Sequence, residues 1–506
     1  MRVKKIPGLM KRLTALTLSA AAVLVLTPSS VFAESVPTVT LRVCNWEEYV
    51  DFGDWDEEDV IDLESGDIFG ENSVLEDFKS WYYETYGVRV NLEYSTFGAN
   101  EDLYNMLTIG DTFDLVCPSE YMVMKLMAED RLEPFSEEFF DTDNEYNYYA
   151  KNVSPYIENI FETHEINGEP WSKYMAGYMW GVTGIVYNPD YVTEEDASTW
   201  QVLSNPDYRR RVTLKDNVRD SYFAALGAIK SDLLTSEAFK SDPDYHKKLE
   251  DEMNDTSEET VAAAQDWLQS VKNANAYSFE SDAGKADMVT GKVYLNLQWS
   301  GDGVYTLDQA EEDDLYLAFT VPEECTNIYF DGWCMLKEGV AGNEAKQQAA
   351  EAFVNFMSRP DIAIRNMFYV GYTSCIAGNE DDTRIFEYAD WNYGAEEDEE
   401  DTTDYSLAYF FSEDADSEDY TITAPTDQVN RQLAARYPSQ ETIARSSVMV
   451  YFNDEANDRI NRMWINVRCF NIYDIPVWAW IVTALVILVI AVFVVKGGLR
   501  RKRLKK

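Results

Sequence analysis

The chain has 506 residues, too many for one ordinary hydrophobic core, so its length predicts two domains. It carries 91 acidic and 42 basic residues, a formal charge of −49, and such a field repels nucleic acid and attracts cations. Only two histidines are present, His164 and His246, and the six cysteines follow no metal-binding spacing, which argues against zinc sites and histidine-based catalysis.

Residues 1–33 have the organisation of a secretory signal. A basic segment precedes the apolar run Leu13–Leu26, and Val31-Phe32-Ala33 is a small-residue cleavage motif; the basic residues are Arg2, Lys4, Lys5, Lys11 and Arg12. We predict cleavage after Ala33. An uncleaved anchor is the alternative, although the apolar run is short for a membrane span.

The other end of the chain has the pattern of a membrane anchor. Residues 476–495 are uncharged and apolar, and about 20 such residues match the hydrocarbon thickness of a bilayer. Seven basic residues in the tail 496–506 predict that the C-terminus is cytoplasmic and the body extracytoplasmic. Without the two ends, the body has 30 basic and 91 acidic residues, a formal charge of −61, and solubility alone accounts for most of this acidity.

Strand and helix patterns alternate in the first part of the body. The run 41–50 begins as a strand and ends in Asn45-Trp46-Glu47-Glu48-Tyr49, where two rings are interleaved with two carboxylates. An acidic segment, 51–72, is predicted to be an exposed insertion; a helix over 73–86, a strand over 88–94, a helix over 101–109 and a strand over 113–117 follow. This order predicts a parallel sheet, whose ligands bind beyond the carboxyl ends of its strands.

The second part begins with the extended run 175–188, in which Gly181 and Gly184 mark positions where a strand crossing between domains can flex. Further strands are predicted at 212–214, 293–297 and 315–321. One helix is predicted to end at residue 229, and two more are predicted at 260–274 and 345–357. The strand 293–297 ends in Gln298-Trp299-Ser300-Gly301-Asp302, and 328–336 offers a second crossover. The acidic stretch 395–420 is predicted to be a solvated insertion.

Outside the cell, disulfides are permitted. Cys44 and Cys117 end two strands that are candidates for neighbours, so one disulfide between them is an alternative. We expect most of the six cysteines to be buried thiols; they are Cys44, Cys117, Cys325, Cys334, Cys375 and Cys469.

Five short motifs, taken together, resemble the spermidine/putrescine-binding proteins of ABC transporters. They are Asn45–Val50, Asp114–Tyr121, Trp180–Gly184, Trp299–Asp302 and Gly371-Tyr372, in the order in which that family has them, and the similarity spans roughly residues 38–470 outside the two acidic insertions. The resemblance implies an α/β, bilobed type II periplasmic-binding-protein fold with a two-crossover hinge and a cleft that closes on ligand. Lobe 1 would comprise residues 34–183 and 330–380, and lobe 2 residues 184–329 and 381–470.

The resemblance also implies a set of ligand-binding residues. Rings would enclose the methylene chain of a polyamine, hydroxyl groups would contact it, and carboxylates would pair with its ammonium groups; the rings are Trp46, Tyr49, Tyr121, Trp299 and Tyr329, the hydroxyls Ser119 and Tyr372, and the carboxylates Asp220, Asp302 and Asp331. Ring faces attract ammonium, and carboxylates make charge-assisted hydrogen bonds, so these residue types suit an organic cation. Core packing for each ring, and a turn or cap for each aspartate, are the alternatives.

Two positions depart from the family pattern. Asn217 stands where spermidine-preferring members have an aspartate, and Met449 lies near the position of a glutamine. Fewer polar contacts at one end of the site would change the preference between a diamine and a triamine.

The resemblance therefore implies a membrane-tethered, monomeric, extracytoplasmic receptor that captures putrescine or spermidine for the permease and ATPase subunits of an ABC transporter. It implies no cofactor, metal, nucleic-acid partner or catalytic residue. One alternative keeps the fold but binds another organic cation, a cationic amino acid or an opine. An enzyme is disfavoured because the chain has no G-x-S-x-G, H-E-x-x-H or P-loop motif, and a purely structural surface protein would leave the cleft aromatics unexplained.

Overall fold

The computed structural model describes residues 36–469, apart from residues 57, 282 and 397. The predicted signal (1–33), transmembrane helix (476–495) and basic tail (496–506) lie outside this range. Within it, no helix is both long and apolar enough to cross a membrane.

The described residues form a mixture of strands and helices, as the alternating pattern predicts. The strands are β1 (Thr38–Trp46), β2 (Arg89–Phe97), β3 (Leu115–Val116), β4 (Leu132–Glu133), β5 (Glu165–Ile166), β6 (Glu169–Pro170), β7 (Ala176–Tyr187), β8 (Val212–Lys215), β9 (Ala276–Glu280), β10 (Leu295–Trp299), β11 (Ala318–Thr320), β12 (Thr326–Leu336), β13 (Thr373–Ser374), β14 (Thr402–Ser406), β15 (Thr421–Pro425) and β16 (Ser446–Ser447). The helices are α1 (Val74–Tyr86), α2 (Asn100–Ile109), α3 (Glu120–Ala128), α4 (Tyr148–Asn152), α5 (Pro155–Thr163), α6 (Glu194–Ala197), α7 (Val218–Ile229), α8 (Ser231–Leu234), α9 (Glu237–Lys240), α10 (Tyr245–Met253), α11 (Glu258–Ala274), α12 (Ala283–Val289), α13 (Ser300–Glu312), α14 (Lys337–Val340), α15 (Glu344–Met357), α16 (Pro360–Val370), α17 (Arg384–Tyr393), α18 (Ala408–Phe411), α19 (Gln432–Arg436), α20 (Gln440–Ala444) and α21 (Asp454–Arg468).

The main sheet has the strand order β2-β1-β3-β12-β7-β10-β8-β9. At one end β1 pairs in parallel with β2 and β3, and at the other β8 pairs in parallel with β9 and β10. The long strands β7 and β12 lie between these two groups and run antiparallel to each other and to their outer neighbours β10 and β3. The predicted parallel pairing in the first part of the body is confirmed, and the two predicted crossover runs are the central strands of the sheet.

Local sequence accounts for the first helix. The Ser73 side chain caps α1 by accepting a hydrogen bond from the Glu76 backbone N–H, and Gly87 ends it in the left-handed conformation with φ 68°. Residues Val74, Phe78 and Tyr82 are buried, which is the helical spacing that the sequence predicts.

The glycines of β7 have a packing role in this structure. A Cβ on Gly184 would lie 2.5 Å from the Phe319 ring and from the Thr320 carbonyl, and one on Gly181 would lie 2.5 Å from Ser300 Oγ. Only glycine lets these groups approach the strand so closely. That Gly181 and Gly184 allow the strand to flex stays a prediction.

The prediction that 51–72 is an exposed insertion is wrong for much of that segment. Asp51 is fully buried and accepts hydrogen bonds from the Arg365 guanidinium, at 2.6 and 2.8 Å, and from Trp55 Nε1, at 3.0 Å. Ile61 and Ile68 pair across a short loop and are buried as well. The prediction relied on the acidic composition of the segment and overlooked its apolar side chains, which alternate with polar ones and pack beneath them.

The second acidic stretch is only partly solvated. Residues 412–419 are mostly exposed, as predicted, but Leu407 and Phe410 just before them are fully buried. The Phe410 ring stacks on Trp180 of β7 with 5.4 Å between ring centroids. The aromatic cluster of α18 therefore attaches this stretch to the core.

All six cysteines are free thiols. Five are buried and Cys469 is exposed, which confirms the expectation that most are buried thiols. Cys44 lies on β1 and Cys117 directly follows the neighbouring strand β3, and the Cys117 N–H donates to the Cys44 carbonyl at 3.1 Å, but the two form no disulfide.

Candidate functional site

Polar and aromatic side chains collect where strands of both parallel groups end. Trp46 ends β1, Ser119 follows β3, and Trp299 ends β10, while Asp331 lies within the central strand β12. Within each group the carboxyl ends of the parallel strands share one edge. The two groups run in opposite directions, and their carboxyl ends face each other along the middle of β7 and β12, where Ser119 pairs with Asp331 and Trp299 with Thr183.

Asp331 is the centre of the first half of the site. Its carboxylate accepts hydrogen bonds from Tyr49 Oη at 2.8 Å and from Ser119 Oγ at 2.7 Å. Asp331 is only 5% exposed, and burial raises its pKa to about 6, although the two hydroxyl donors act in the opposite direction. Asp331 is thus a buried carboxylate held by neutral donors.

The β12 backbone is irregular at this point. Its register against β7 shifts between Asp331 and Gly332, and Asp331 forms an isolated bridge to Ser119. Such an irregularity re-aims a side chain, and here it accompanies the contact between Asp331 and the loop after β3.

Asn100, at the start of α2, orients that loop. Its Nδ2 donates to Ser119 Oγ at 3.1 Å and to Tyr121 Oη at 3.0 Å, and its Oδ1 accepts from the Ser119 N–H at 3.0 Å. Tyr121 Oη donates to Glu101 Oε1 at 3.3 Å. The Arg219 guanidinium lies 4.5 Å from the Tyr121 ring centroid, so a protein cation already contacts one of the predicted ligand-binding rings.

Asp220 and Trp299 form the second half of the site. Trp299 Nε1 donates to Asp220 Oδ1 at 3.1 Å. Asp220 is 6% exposed, and burial raises its pKa to about 6, while that hydrogen bond and Lys215 act to lower it. Asn217, the position that departs from the family pattern, caps α7 by accepting from the N–H groups of Arg219 and Asp220.

Asp302 has a different environment from the other two aspartates. Lys215 Nζ lies 3.3 Å from one carboxylate oxygen and Lys285 Nζ lies 3.2 Å from the other. Burial acts to raise the pKa of Asp302, but the two ammonium groups outweigh it and hold the pKa below its ordinary value. Asp302 is therefore already paired with two protein cations.

Two tyrosines connect the halves. The Tyr372 ring makes an edge contact with Tyr49, with 5.2 Å between centroids, and lies 6.4 Å from Tyr329. The same ring packs directly on Gly301, where any Cβ would collide with it. Tyr329 Oη lies 3.5 Å from Ser300 Oγ. The negative charge of Asp220 also contributes to the raised pKa of Asp331, so the two carboxylates sense each other.

The structure thus brings together nine of the ten predicted residues in two linked groups; the first contains Tyr49, Ser119, Tyr121, Tyr329, Asp331 and Tyr372, and the second contains Asp220, Trp299 and Asp302. Trp46 is half-buried and packs on Phe97, with 4.7 Å between ring centroids. Its neighbours Glu47 and Glu48 are exposed.

Sequence reasoning missed the charged residues that already occupy parts of this region. Lys215 and Arg219 were available from the sequence, because Lys215 directly follows the strand predicted at 212–214, whose carboxyl end belongs to the ligand-binding edge, and Arg219 comes four residues later. Glu120 was missed too: it is buried, it accepts from the Phe330 N–H at 3.1 Å, and burial raises its pKa to about 8.

The arrangement suits recognition of an organic cation. Two buried carboxylates, Asp331 and Asp220, lie among rings and hydroxyl groups, and among the described residues neither has a lysine or arginine nitrogen within 4.0 Å. In the same part of the chain, no group of three or more histidine, cysteine, aspartate or glutamate side chains is placed to hold a metal ion.

Comparison with known proteins gives three relevant similarities. The sequence profile of the family described as bacterial extracellular solute-binding protein matches residues 74–387. The spermidine/putrescine-binding periplasmic protein of Salmonella typhimurium is 26% identical over 335 residues, which are 66% of this chain and 76% of that protein. The putrescine-binding periplasmic protein PotF of Escherichia coli is 24% identical over 298 residues, 56% of this chain and 71% of that protein.

A solved structure shows the same fold. The substrate-binding protein PotD of a spermidine/putrescine ABC transporter from Streptococcus pneumoniae superimposes with a TM-score of 0.52 at 22% identity, covering 85% of this chain and 98% of that one.

Proposed function

The chain belongs to the bacterial extracellular solute-binding protein family, and on that premise we propose that it captures polyamines outside the cell and delivers them to an ABC permease. Membership of this family makes the chain a binding protein and not an enzyme. The curated relatives named for spermidine and putrescine support the choice of ligand.

The observation that carries the proposal is the environment of Asp331. A buried carboxylate held by the hydroxyl groups of Tyr49 and Ser119 has its negative charge uncompensated by any cation within ion-pair distance in the described chain. An incoming ammonium group would supply the compensating positive charge and make a charge-assisted hydrogen bond to Asp331. Asp220 offers a second carboxylate, and the rings between them can enclose an apolar methylene chain.

Binding by closure of two lobes is part of the proposal. Lobe 1 (34–183 and 330–380) supplies Tyr49, Ser119 and Asp331, and lobe 2 (184–329 and 381–470) supplies Asp220 and Trp299. The strands β7 and β12 would be the two hinge crossovers. A ligand shifts a protein toward a closed state only if it contacts that state better, which a diamine touching both carboxylates would do.

The membrane tether also belongs to the proposal. The signal 1–33 would direct export, the apolar segment 476–495 would hold the receptor beside its permease, and the basic tail 496–506 would lie in the cytoplasm. Capture would then take place within reach of the permease and ATPase subunits.

Isothermal titration calorimetry of the full chain with putrescine, spermidine and arginine tests the ligand. We expect saturable binding of at least one polyamine and weaker binding of arginine, because its carboxylate would approach Asp331 and Asp220. Tighter binding of arginine would favour the alternative of a cationic amino acid receptor. If neither polyamine binds, the proposed ligand is wrong.

A further inference from the structure

Lys215 ends β8 with its side chain inside the candidate site. Its backbone is fixed by pairing with Glu280 of β9 and by the Ser221 hydroxyl, which donates to the Lys215 carbonyl at 2.8 Å. Although it is a lysine, its side chain is only 1% exposed. A buried lysine of this kind is rare unless the site gives its ammonium group partners.

The contacts of the Lys215 ammonium are those that a ligand ammonium would need. Nζ lies 3.3 Å from an Asp302 oxygen, 3.0 Å from the Ser281 carbonyl oxygen and 3.5 Å from the centroid of the Trp299 ring. One carboxylate, one carbonyl and one ring face are typical partners of a primary ammonium group. A lysine side chain is itself four methylenes ending in that group, which makes it a chemical likeness of half a polyamine.

This arrangement changes the number of carboxylates open to a ligand. Asp302 is shared between Lys215 and Lys285, so its charge is compensated. Glu101 is less buried than Asp220 and Asp331, and its carboxylate accepts a hydrogen bond from Tyr121 Oη. Asp331 and Asp220 are the buried aspartates of the site that make no ion pair within 4.0 Å in the described part of the chain, although Lys215 and Arg219 act on Asp220 from farther away. They provide two carboxylates for two ammonium groups.

We propose that Lys215 is a built-in ammonium group that fills one end of the binding site and makes the receptor selective for a diamine over a triamine. The proposal rests on the proposed function. A triamine would bring a third cation toward the Trp299 face that Lys215 covers, where it would meet a like charge and a compensated Asp302.

The wild-type protein provides a first test that needs no substitution. Calorimetry of the full chain at pH 7.5 is expected to give a Kd for putrescine at least tenfold below that for spermidine. Equal or tighter binding of spermidine would overturn the role of Lys215 while leaving the proposed polyamine function intact. Binding of neither polyamine would instead remove the proposed function itself.

Substitution then assigns the selectivity to Lys215. Lys215→Met keeps the apolar stem and removes the charge, and it is expected to improve spermidine binding at least tenfold relative to putrescine. Lys285→Met is the matched control, because Lys285 also pairs with Asp302 but is 23% exposed and lies over the Tyr305 ring rather than Trp299. An unchanged ratio of the two Kd values in Lys215→Met, or the same gain in Lys285→Met, contradicts the proposal.

The double variant Lys215→Met with Asp302→Asn separates a ligand role from a structural one. If the gain in spermidine affinity arises because Asp302 becomes available, the double variant loses it and returns to the wild-type ratio. Persistence of the gain without the Asp302 charge would mean that Lys215 acts through its own positive charge and not by compensating Asp302. Thermal unfolding of each variant shows whether it is folded, and the wild-type ratio decides the question if Lys215→Met does not fold.

Discussion

Asp331 and Asp302 are the same residue type in the same candidate site, yet the structure gives them opposite environments. Asp331 is held by two neutral hydroxyl groups, from Tyr49 and Ser119, and its pKa is raised to about 6. Asp302 is held by two ammonium groups, from Lys215 and Lys285, and its pKa is lowered. The charge of the neighbours, and not burial alone, decides which carboxylate can attract a cationic ligand.

The largest expected effect is that of Asp331→Asn. The variant keeps the shape of the side chain and one of the two oxygens that accept from Tyr49 and Ser119, but it removes the charge. Losing one member of a buried charged hydrogen bond costs about 2–5 kcal/mol, so the Kd for putrescine should rise at least roughly thirtyfold. Calorimetry checks the affinity and thermal unfolding checks the fold. An affinity equal to wild type would show that the ligand does not contact Asp331.

The pH dependence of binding should follow the two buried aspartates that have no lysine or arginine nitrogen within ion-pair distance in the described chain, Asp331 and Asp220. Burial raises the pKa of both Asp331 and Asp220 to about 6, so both lose their charge as the pH falls through that value. At pH 5 each group is about 90% protonated, and the loss of its charge weakens the binding of a cation by about tenfold. The Kd for putrescine should therefore rise roughly tenfold or more between pH 7.5 and pH 5.

Stability of the unliganded protein should change in the opposite direction for these two groups. Their pKa in the folded state lies above the ordinary value of an aspartate, so the folded state binds more protons between about pH 4 and pH 6. Their unfavourable contribution to folding is therefore relieved as the pH falls. The difference in the free energy of unfolding between Asp331→Asn and wild type, measured across this pH range, gives the contribution of Asp331. A Kd for putrescine that stays constant from pH 7.5 to pH 5 would contradict the assignment of both groups.

A smaller effect is expected for Asp220→Asn. Trp299 Nε1 can still donate to the amide oxygen, so the second half of the site keeps its geometry. The loss of one hydrogen bond to a charged group costs about 1.5–3 kcal/mol, or roughly tenfold or more in the Kd for putrescine. Replacing putrescine by a monoamine should raise the Kd less in this variant than in wild type, because a monoamine has only one ammonium group that needs a carboxylate.

The smallest effect is expected when Asp302 and Lys215 are both neutralised. Asp302→Asn together with Lys215→Met preserves the net charge of the site and leaves Asp331 and Asp220 in place. The Kd for putrescine should change by no more than about threefold, because the removed pair compensated itself. If this double variant lost as much affinity as Asp331→Asn, the contrast between the two aspartates would be wrong.

Much of the fold was predictable from local patterns. Helix α1, with Ser73 before it and Gly87 after it, and the parallel pairing of β1 with β2 and β3 follow from hydrophobic periodicity and capping residues. The acidic segment 51–72 was not, because its burial depends on Arg365, which is 314 residues from Asp51 and compensates its charge. A charge looks solvated in sequence when its partner is distant.

The sequence predicted which residues belong to the candidate site better than it predicted what each of them contacts. Motifs at strand ends located Tyr49 and Ser119 in one region, since the carboxyl ends of parallel strands share an edge of a sheet. Trp299 ends a strand that runs the opposite way, and the antiparallel strands β7 and β12 bring it to the same region. They could not show that Lys215 lies over Trp299, because that contact depends on where β8 and β10 stop beside each other.

The alternation of helices and strands, the residue types of the site and the acidity of the body were predictable from the sequence, because these depend on neighbours along the chain and on composition. Tertiary contacts alone fixed which of these acids has a cation within ion-pair distance. That property depends on cations and hydroxyl groups from distant segments, and it distinguishes Asp331 and Asp220 from Asp302, although all three are aspartates in one site.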